Sequence, residues 1–345
     1  MRFVNSTPLP SVLIPNAEAG DDMTALVVCA ATFTIAPVPE GKEPQGPTLQ
    51  LARVQRPVEM GYHKPEPADD HFVRSGVSVT ASGHVHAPGG KATKADATLS
   101  VGSETRVVRA FGPRVWREGM FGVLSPTSPL PFDRVPMTWE LAYGGAVSRK
   151  TTAIKHEGRE LIAPEHPVAY PQNAEGTGFY FERADAVEKP LPQLEHPDMP
   201  IRAWDDRPHP VCFAPYALRG GMRPMSLMTS DEKVDFNRVG RLTARAAPWL
   251  VFNDVAPGTP IALRGMRPRG ETLAFLVPEV PVSVRVILGP ARFRMGLRLD
   301  TVDIDADAAL VRFVYRVAFT YALIQHEIRE TYLEPTNAFP KLPPP

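Results

Sequence analysis

The feature of the sequence that most resembles a metal site is a pair of histidines. His84 and His86 are separated by one residue, and side chains two positions apart on a β-strand lie on the same face, about 7 Å apart. Two imidazoles placed in this way can chelate a metal ion. No third ligand follows at a regular spacing, and a Pro-Gly-Gly turn at 88–90 ends the strand. We therefore expect both histidines to be hydrogen-bonded structural residues, and we predict no metal.

Three aspartates resemble the opening of a calcium-binding loop. Asp303, Asp305 and Asp307 occupy alternate positions, as in the first half of an EF-hand loop. The second half does not follow, since Ala308 stands where the turn glycine belongs and Val314 where the bidentate glutamate belongs. We expect a solvated hairpin turn here instead of a calcium site.

Motifs for nucleophilic, phosphate-binding or zinc-dependent catalysis do not occur in the chain. There is no Gly-x-Ser-x-Gly elbow, no His-Glu-x-x-His and no glycine-rich loop followed by a lysine and a helix. Glu140, next to Trp139, has two interpretations: a buried acid with a raised pKa, or a buried carboxylate that caps loop amides. We favour the second interpretation, and we predict no catalytic residue, no cofactor and no enzymatic activity.

Composition and charge argue against nucleic acids and anionic membranes as binding partners. The 345 residues carry 38 basic and 38 acidic side chains, whereas proteins that bind nucleic acids or anionic membranes usually have a basic excess. The two cysteines, Cys29 and Cys212, are far apart and in no redox or metal-binding spacing, which fits a reducing compartment. The first residues have no signal-peptide character, and no apolar run is long enough to span a bilayer. We expect a cytoplasmic protein whose partner is neither nucleic acid nor membrane.

The 39 prolines spread along the chain exclude long helices. Short β-strands must therefore position the candidate side chains described above. Apolar and polar residues alternate in several segments, which is the pattern of a half-buried strand. The pattern predicts a long strand at 23–35, a hairpin of 97–101 with 105–111, and a meander of antiparallel strands from 259 to 319. The expected fold class is all-β: an antiparallel, sandwich-like structure with long ordered Pro/Gly-rich loops and few short helices.

We expect one domain over residues 1–345. Its β-rich core is predicted at about 20–145 and about 235–320, where the alternation is clear. Residues from about 146 to 234 lose this periodicity and are rich in proline, glycine, histidine and charge. Because long structureless insertions are uncommon in compact domains, we predict that they form an ordered, loop-rich cap over the edge of the sheet.

Aromatic residues between sharp turns give the strongest functional signal. The stretch 107–145 holds two of the four tryptophans, separated by glycines and prolines that set unusual backbone angles. Tryptophan, tyrosine and arginine dominate the binding energy of protein interfaces, so this composition predicts a surface that binds another protein. The predicted interface residues are Arg114, Trp116, Trp139, Tyr143 and Phe179. The alternative for each tryptophan is a place in the hydrophobic core.

Seven motifs occur along the chain. Each motif is short, but their order is specific. They are Ser82–Gly90, Val108–Trp116, Pro131–Pro136, Trp139–Gly145, Asn173–Phe179, Leu191–Glu195 and Leu299–Val302. With this order the chain resembles, over roughly residues 23–320, a large bacterial domain-of-unknown-function family whose genes lie in type VI secretion clusters. Ala174, Gln193 and Tyr143 depart mildly from the residues usual in that family, which suggests packing or loop tuning.

The resemblance implies an adaptor or chaperone that helps to load a toxic effector onto the secretion spike. The expected client carries the small PAAR tip domain, and the spike protein is a further possible partner. The family has no established catalytic residues, so none is transferred to this chain. We expect the loops at 114–116, 139–145 and 173–179 to form one contiguous surface or its direct support. Two other classes stay open: a metal-dependent or carbohydrate-active hydrolase on a β-sandwich, and a structural component of the secretion apparatus.

Overall fold

The computed structural model describes residues 1–17, 22–40, 42, 49–51, 76–149, 154–156, 159–161, 166–216, 246–253, 255–322 and 329–336. Residues 217–245, which include the end of the predicted cap and the start of the second part of the predicted core, lie outside these ranges. No helix in the described ranges is long and apolar enough to cross a membrane.

Strands dominate the structure. The strands are β1 (Arg2–Asn5), β2 (Ser11–Ala17), β3 (Asp22–Ile35), β4 (Leu49–Leu51), β5 (Val77–Ser82), β6 (His84–His86), β7 (Lys94–Val101), β8 (Glu104–Phe111), β9 (Trp116–Glu118), β10 (Leu124–Pro126), β11 (Arg134–Pro136), β12 (Tyr143–Gly144), β13 (Ala146–Arg149), β14 (Ile154–His156), β15 (Arg159–Leu161), β16 (His166–Ala169), β17 (Thr177–Gly178), β18 (Leu194–Glu195), β19 (Val251–Phe252), β20 (Pro260–Arg264), β21 (Leu273–Leu276), β22 (Val282–Leu288), β23 (Ala291–Gly296), β24 (Arg298–Asp305), β25 (Leu310–Ala322) and β26 (Arg329–Pro335). The α-helix of the described ranges, α1, spans Arg183–Ala186, and short 3₁₀ turns lie at 88–90, 120–122, 139–141, 248–250 and 268–270.

The central sheet has seven strands in the order β19-β5-β24-β25-β3-β2, with β4 pairing β3. Its longest strands, β3 and β25, pair over thirteen positions from Asp22↔Ala322 to Thr34↔Leu310. The prediction of a long buried strand at 23–35 is therefore confirmed. β-Branched and small apolar residues suit a strand covered on both sides.

Two further sheets pack on one face of the central sheet. Their strand orders are β18-β8-β7-β20-β21 and β1-β26-β22-β23, and all three sheets contribute to one continuous hydrophobic core. Phe313 on β25 contacts Phe275 on β21, with ring centroids 5.9 Å apart. Phe319 on the same strand contacts Phe293 on β23 at 6.1 Å. The all-β prediction is confirmed, and the predicted hairpin of 97–101 with 105–111 is β7 with β8.

The expectation of purely antiparallel pairing is wrong at three strand pairs, one of which is the short parallel pair of β12 with β17. β24 pairs parallel with β5, and β1 pairs parallel with β26. The predicted meander is also divided between sheets: β22 and β23 form a hairpin in the four-stranded sheet, whereas β24 and β25 form one in the central sheet. The chain crosses at Leu297, between these hairpins. The alternation of apolar and polar residues indicates which face of a strand is buried. It does not indicate which strand pairs with it or in which direction.

The other face of the central sheet buries charge. Arg316 on β25 is fully buried, and its Nε lies 3.0 Å from a carboxylate oxygen of Asp300. An apolar patch formed by Ile14, Leu26, Val28, Ala30 and Val314 lies on the same face. A buried ion pair is stable only while both partners are present, because a single buried charge is strongly destabilising.

Candidate protein-interaction surface

The structure buries four of the five predicted interface residues. Trp116 and Tyr143 are only 1% and 2% exposed, and Arg114 and Trp139 are buried as well. Phe179 is half-buried. In this conformation the four buried side chains lie beneath the surface, so they can serve as its support and not as its contact points.

The buried residues belong to two different cores. Trp139 packs in the main core, where its ring lies 4.9 Å from the ring of Tyr216 and its Nε1 donates to the carbonyl of Ala214 at 3.1 Å. Trp116 and Tyr143 belong to a second, smaller core. We call this second core the aromatic cluster; it contains Trp116, Leu124, Tyr143, Ala186, Leu191 and Ile201, with Tyr170, Phe179, Tyr180, Val187 and Trp204 packed around them.

The rings of the aromatic cluster contact one another, edge to face for Tyr143 and Tyr170 and at a tilt of 44° for Tyr170 and Phe179. Tyr143 and Tyr170 have centroids 5.0 Å apart, and Tyr170 and Phe179 have centroids 5.5 Å apart. The guanidinium of Arg207 lies over Phe179 at 5.1 Å, a favourable cation–π geometry. The Tyr143 hydroxyl donates to the carbonyl of Asp206 at 2.8 Å, and burial raises the pKa of Tyr143 to about 12. The phenol is therefore neutral and serves packing.

The three predicted loops do come together. β12 pairs with β17, which joins the loop at 139–145 to the loop at 173–179. Asn173 fastens this junction, because its Nδ2 donates to the carbonyls of Trp139 at 2.8 Å and Tyr143 at 3.1 Å. Gly144 is required at the junction: a Cβ on it would lie 2.1 Å from the Asn173 carbonyl oxygen, and its φ is +150°.

Arg114 holds the third loop in place. Its guanidinium lies 2.5 Å from the carboxylate of Glu195, and both side chains are almost fully buried. Its flat face lies over the Phe111 ring at 3.9 Å. Burial raises the pKa of Glu195, and the adjacent Arg114 and the Ile201 amide partly offset this effect. This ion pair accounts for the burial of Arg114, and no role in binding a partner is needed to explain it.

The most exposed apolar side chains of the described residues lie on the β9–β10 hairpin. Its turn, residues 119–123, we call the hairpin tip. Met120 is 82% exposed, Phe121 94% and Val123 64%. Isolated exposed apolar residues are common, but a contiguous group of this size is typical of an interaction site.

The backbone of the hairpin tip is strained at its most exposed residue. Phe121 has φ +67°, in the left-handed region that costs a residue with a Cβ about 1 kcal/mol. The next residue, Gly122, has φ +73° and accommodates that conformation without strain. Strained non-glycine residues persist at functional sites, and here the strain projects a large apolar ring into solvent.

The hairpin is held by Arg183 at its tip and by Trp116 at its base. Arg183 of α1 donates to the Glu118 carboxylate at 2.5 Å and also to the Gly122 carbonyl. At the base of the hairpin, Trp116 begins β9 and lies in the aromatic cluster. The predicted residue Trp116 therefore anchors the hairpin, while Phe121 is presented by it. Sequence reasoning missed the tip, although the order Gly-Met-Phe-Gly, with two large apolar residues between glycines, was a visible signal.

Four of the five residues considered for metal binding, His84, Asp303, Asp305 and Asp307, form hydrogen bonds. His84 Nδ1 lies 2.7 Å from a carboxylate oxygen of Asp307, and its ring centroid is 6.5 Å from that of His86. Asp303 accepts from the Thr80 hydroxyl at 2.5 Å, and Asp305 accepts from the Ala308 amide. Among the residues that the structure describes, no group of three or more potential ligands is placed to hold a metal ion.

Glu140 does not have the environment expected of it. The side chain is exposed, so both interpretations of a buried carboxylate are wrong. The 3₁₀ turn at 139–141 buries Trp139 and leaves the neighbouring Glu140 on the solvent side.

A groove of about 630 Å³ lies between the turns at 88–90 and 268–270. Its charged lining residues are Glu40, Asp133, Arg134 and Arg269, all of them exposed, and the half-buried His86. Burial lowers the pKa of His86. The two carboxylates among its described lining residues are open to water, whereas general acid catalysis on a sugar uses a desolvated acid.

Comparison with known proteins identifies a bacterial family. The model of a family described as "Uncharacterized protein conserved in bacteria (DUF2169)" matches residues 20–316. No curated protein and no solved structure matches the chain. The matched range includes the hairpin tip and the aromatic cluster.

Proposed function

The chain belongs to the bacterial DUF2169 family, and from that premise we propose that it is a non-enzymatic adaptor that holds a partner protein at its hairpin tip. One observation carries the proposal: Met120, Phe121 and Val123 are 82%, 94% and 64% exposed on a turn that Arg183 braces. A braced turn loses little conformational entropy on binding, which favours association.

The size of the tip suits an adaptor that must also release its partner. Burying a large apolar side chain contributes about 1.5–3 kcal/mol, and three such residues can dominate a moderate interface. Interfaces of this kind are tight enough to hold a client and weak enough to exchange. Arg117, Glu118 and Arg183 around the tip would supply a polar rim.

The resemblance to proteins encoded in type VI secretion clusters supports a more specific proposal. The partner is an effector with a PAAR tip domain, which the adaptor binds in the cytoplasm and helps to load onto the spike. The neutral overall charge, with 38 basic and 38 acidic residues, fits a protein partner better than a nucleic acid.

Co-purification with the effector tests this proposal. The variant Phe121→Asn replaces the ring with a polar side chain that tolerates the left-handed region, so the fold is kept. We expect it to lose most of the co-purified effector. Leu276→Thr is the matched control, because Leu276 is also an exposed apolar residue, at 40%, on the edge strand β21. Equal recovery of the effector by both variants would place the interface elsewhere.

Two assays address the competing classes. A metal-dependent hydrolase would contain stoichiometric metal, which elemental analysis of the purified protein detects. A structural component of the secretion apparatus would assemble with itself, whereas an adaptor is expected to form a defined complex with its client. Light scattering of the protein with and without the effector separates these outcomes.

A further inference from the structure

β23 is an edge strand of the four-stranded sheet within the described ranges. It pairs with β22 on one side, and no other strand of the described ranges lies beyond it. The unpaired amides and carbonyls of such an edge can pair with a strand from another chain. β23 spans six residues, which is a usual length for a strand in a sheet.

The two faces of β23 differ in chemistry. Phe293 and Met295 are half-buried and pack against the main core. Arg292 and Arg294 alternate with them and are exposed. An added strand would therefore meet apolar side chains on one face and arginines on the other.

The arginine face is short of negative charge. Arg294 lies directly opposite Arg285 of β22, and like charges at such positions repel. Both arginines share one carboxylate, that of Glu334, at 2.5 Å from Arg285 and 3.2 Å from Arg294. Arg292 forms no ion pair with any residue in the part of the chain that the structure describes.

We infer that the outer edge of β23 accepts an extended segment of the partner protein as an additional strand. The segment alternates acidic and apolar residues. Its acidic side chains lie beside Arg292 and Arg294, and its apolar side chains extend the half-buried row of Phe293 and Met295. The inference deepens the proposed adaptor function and names the kind of segment that the partner provides.

The competing role of the two arginines is protection of the edge. Charged side chains on an edge strand prevent uncontrolled pairing between copies of a protein. Protection needs only charge, whereas strand addition also needs the free backbone groups and an acidic partner. Peptide probes can separate these two roles.

The test uses a fluorescein-labelled octapeptide of alternating glutamate and valine, and fluorescence anisotropy as the measure of binding. Two probes serve as controls: an alternating lysine–valine octapeptide, and the glutamate–valine octapeptide with every second amide N-methylated. We expect the first probe to bind and each control to bind at least about tenfold more weakly. In the protein, Arg292→Glu/Arg294→Glu should weaken binding by a similar factor, while Arg264→Glu, an exposed arginine on β20, should not.

The outcomes are separable from those of the adaptor proposal. Equal binding of the methylated and unmethylated probes, or of the acidic and basic probes, would overturn strand addition, and no binding would leave edge protection only. The variant Phe121→Asn should bind the octapeptide normally, because the hairpin tip is a separate surface. Loss of the effector in Phe121→Asn with normal peptide binding would therefore support both proposals, and failure of either assay identifies which proposal is wrong.

Discussion

Replacing Phe121 should stabilise the fold while it removes binding. The residue has φ +67° and its side chain is 94% exposed. Asparagine relieves most of a left-handed strain of about 1 kcal/mol, and removal of an exposed ring gives up almost no buried apolar area. We therefore expect Phe121→Asn to raise the free energy of unfolding by about 0.5–1 kcal/mol.

The assay is urea unfolding followed by tryptophan fluorescence. Met120→Asn is the matched control, because Met120 is also exposed, at 82%, and is not in the left-handed region. It should lose effector binding in the same way and gain no stability. Comparing the two variants separates the effect of backbone strain on stability from the effect of the apolar side chains on binding.

Two results would refute the reasoning. If Phe121→Asn lowers the free energy of unfolding by about 1 kcal/mol or more, the ring packs against the protein and is not presented to a partner. If Met120→Asn stabilises the protein as much as Phe121→Asn does, backbone strain is not the source of the gain.

Further predictions concern the aromatic cluster and two ion pairs. Trp116→Ala should lower the free energy of unfolding by about 3–5 kcal/mol and loosen the hairpin, which amide hydrogen exchange at the base of the hairpin measures. Arg316→Met leaves the buried carboxylate of Asp300 without this guanidinium and should cost about 3–5 kcal/mol in a urea titration. The Arg285 guanidinium lowers the pKa of Glu334, so the stabilisation from this pair is present above the unfolded pKa and is lost as the pH falls through the folded pKa, below 4.5. Glu334→Gln should flatten the dependence of stability on pH in that range, and an unchanged dependence would contradict the assignment.

Alternation of side chains predicted the strands well and their neighbours poorly. The strand at 23–35 and the hairpin at 97–111 appear as expected, because burial on one face imposes a period of two residues. The parallel contact between β5 and β24 joins Ser78 to Thr301. Residues so far apart in the sequence are brought together by the packing of whole sheets, and no local sequence pattern encodes such a contact.

The loops of the candidate site could be predicted from the sequence, but the burial of their side chains could not. Trp116 and Tyr143 are predicted interface residues, with a core position as the alternative for the tryptophan. Both rings bury so much apolar area that they belong to a second core. The exposed position of Phe121 depends on the register of the β9–β10 hairpin and on a left-handed backbone that phenylalanine rarely adopts. Neither property can be recognised from residue type.

Photo-crosslinking in the bacterium tests most directly whether the hairpin tip binds a partner. A benzophenone amino acid is placed at Phe121 in one strain and at Leu276, another exposed apolar position, in a second strain. Mass spectrometry then identifies the cross-linked polypeptides. We predict one dominant adduct from Phe121, with an effector that carries a PAAR domain, and no such adduct from Leu276. The same adducts from both positions, or none from Phe121 while the effector is expressed, would contradict a binding role for the tip.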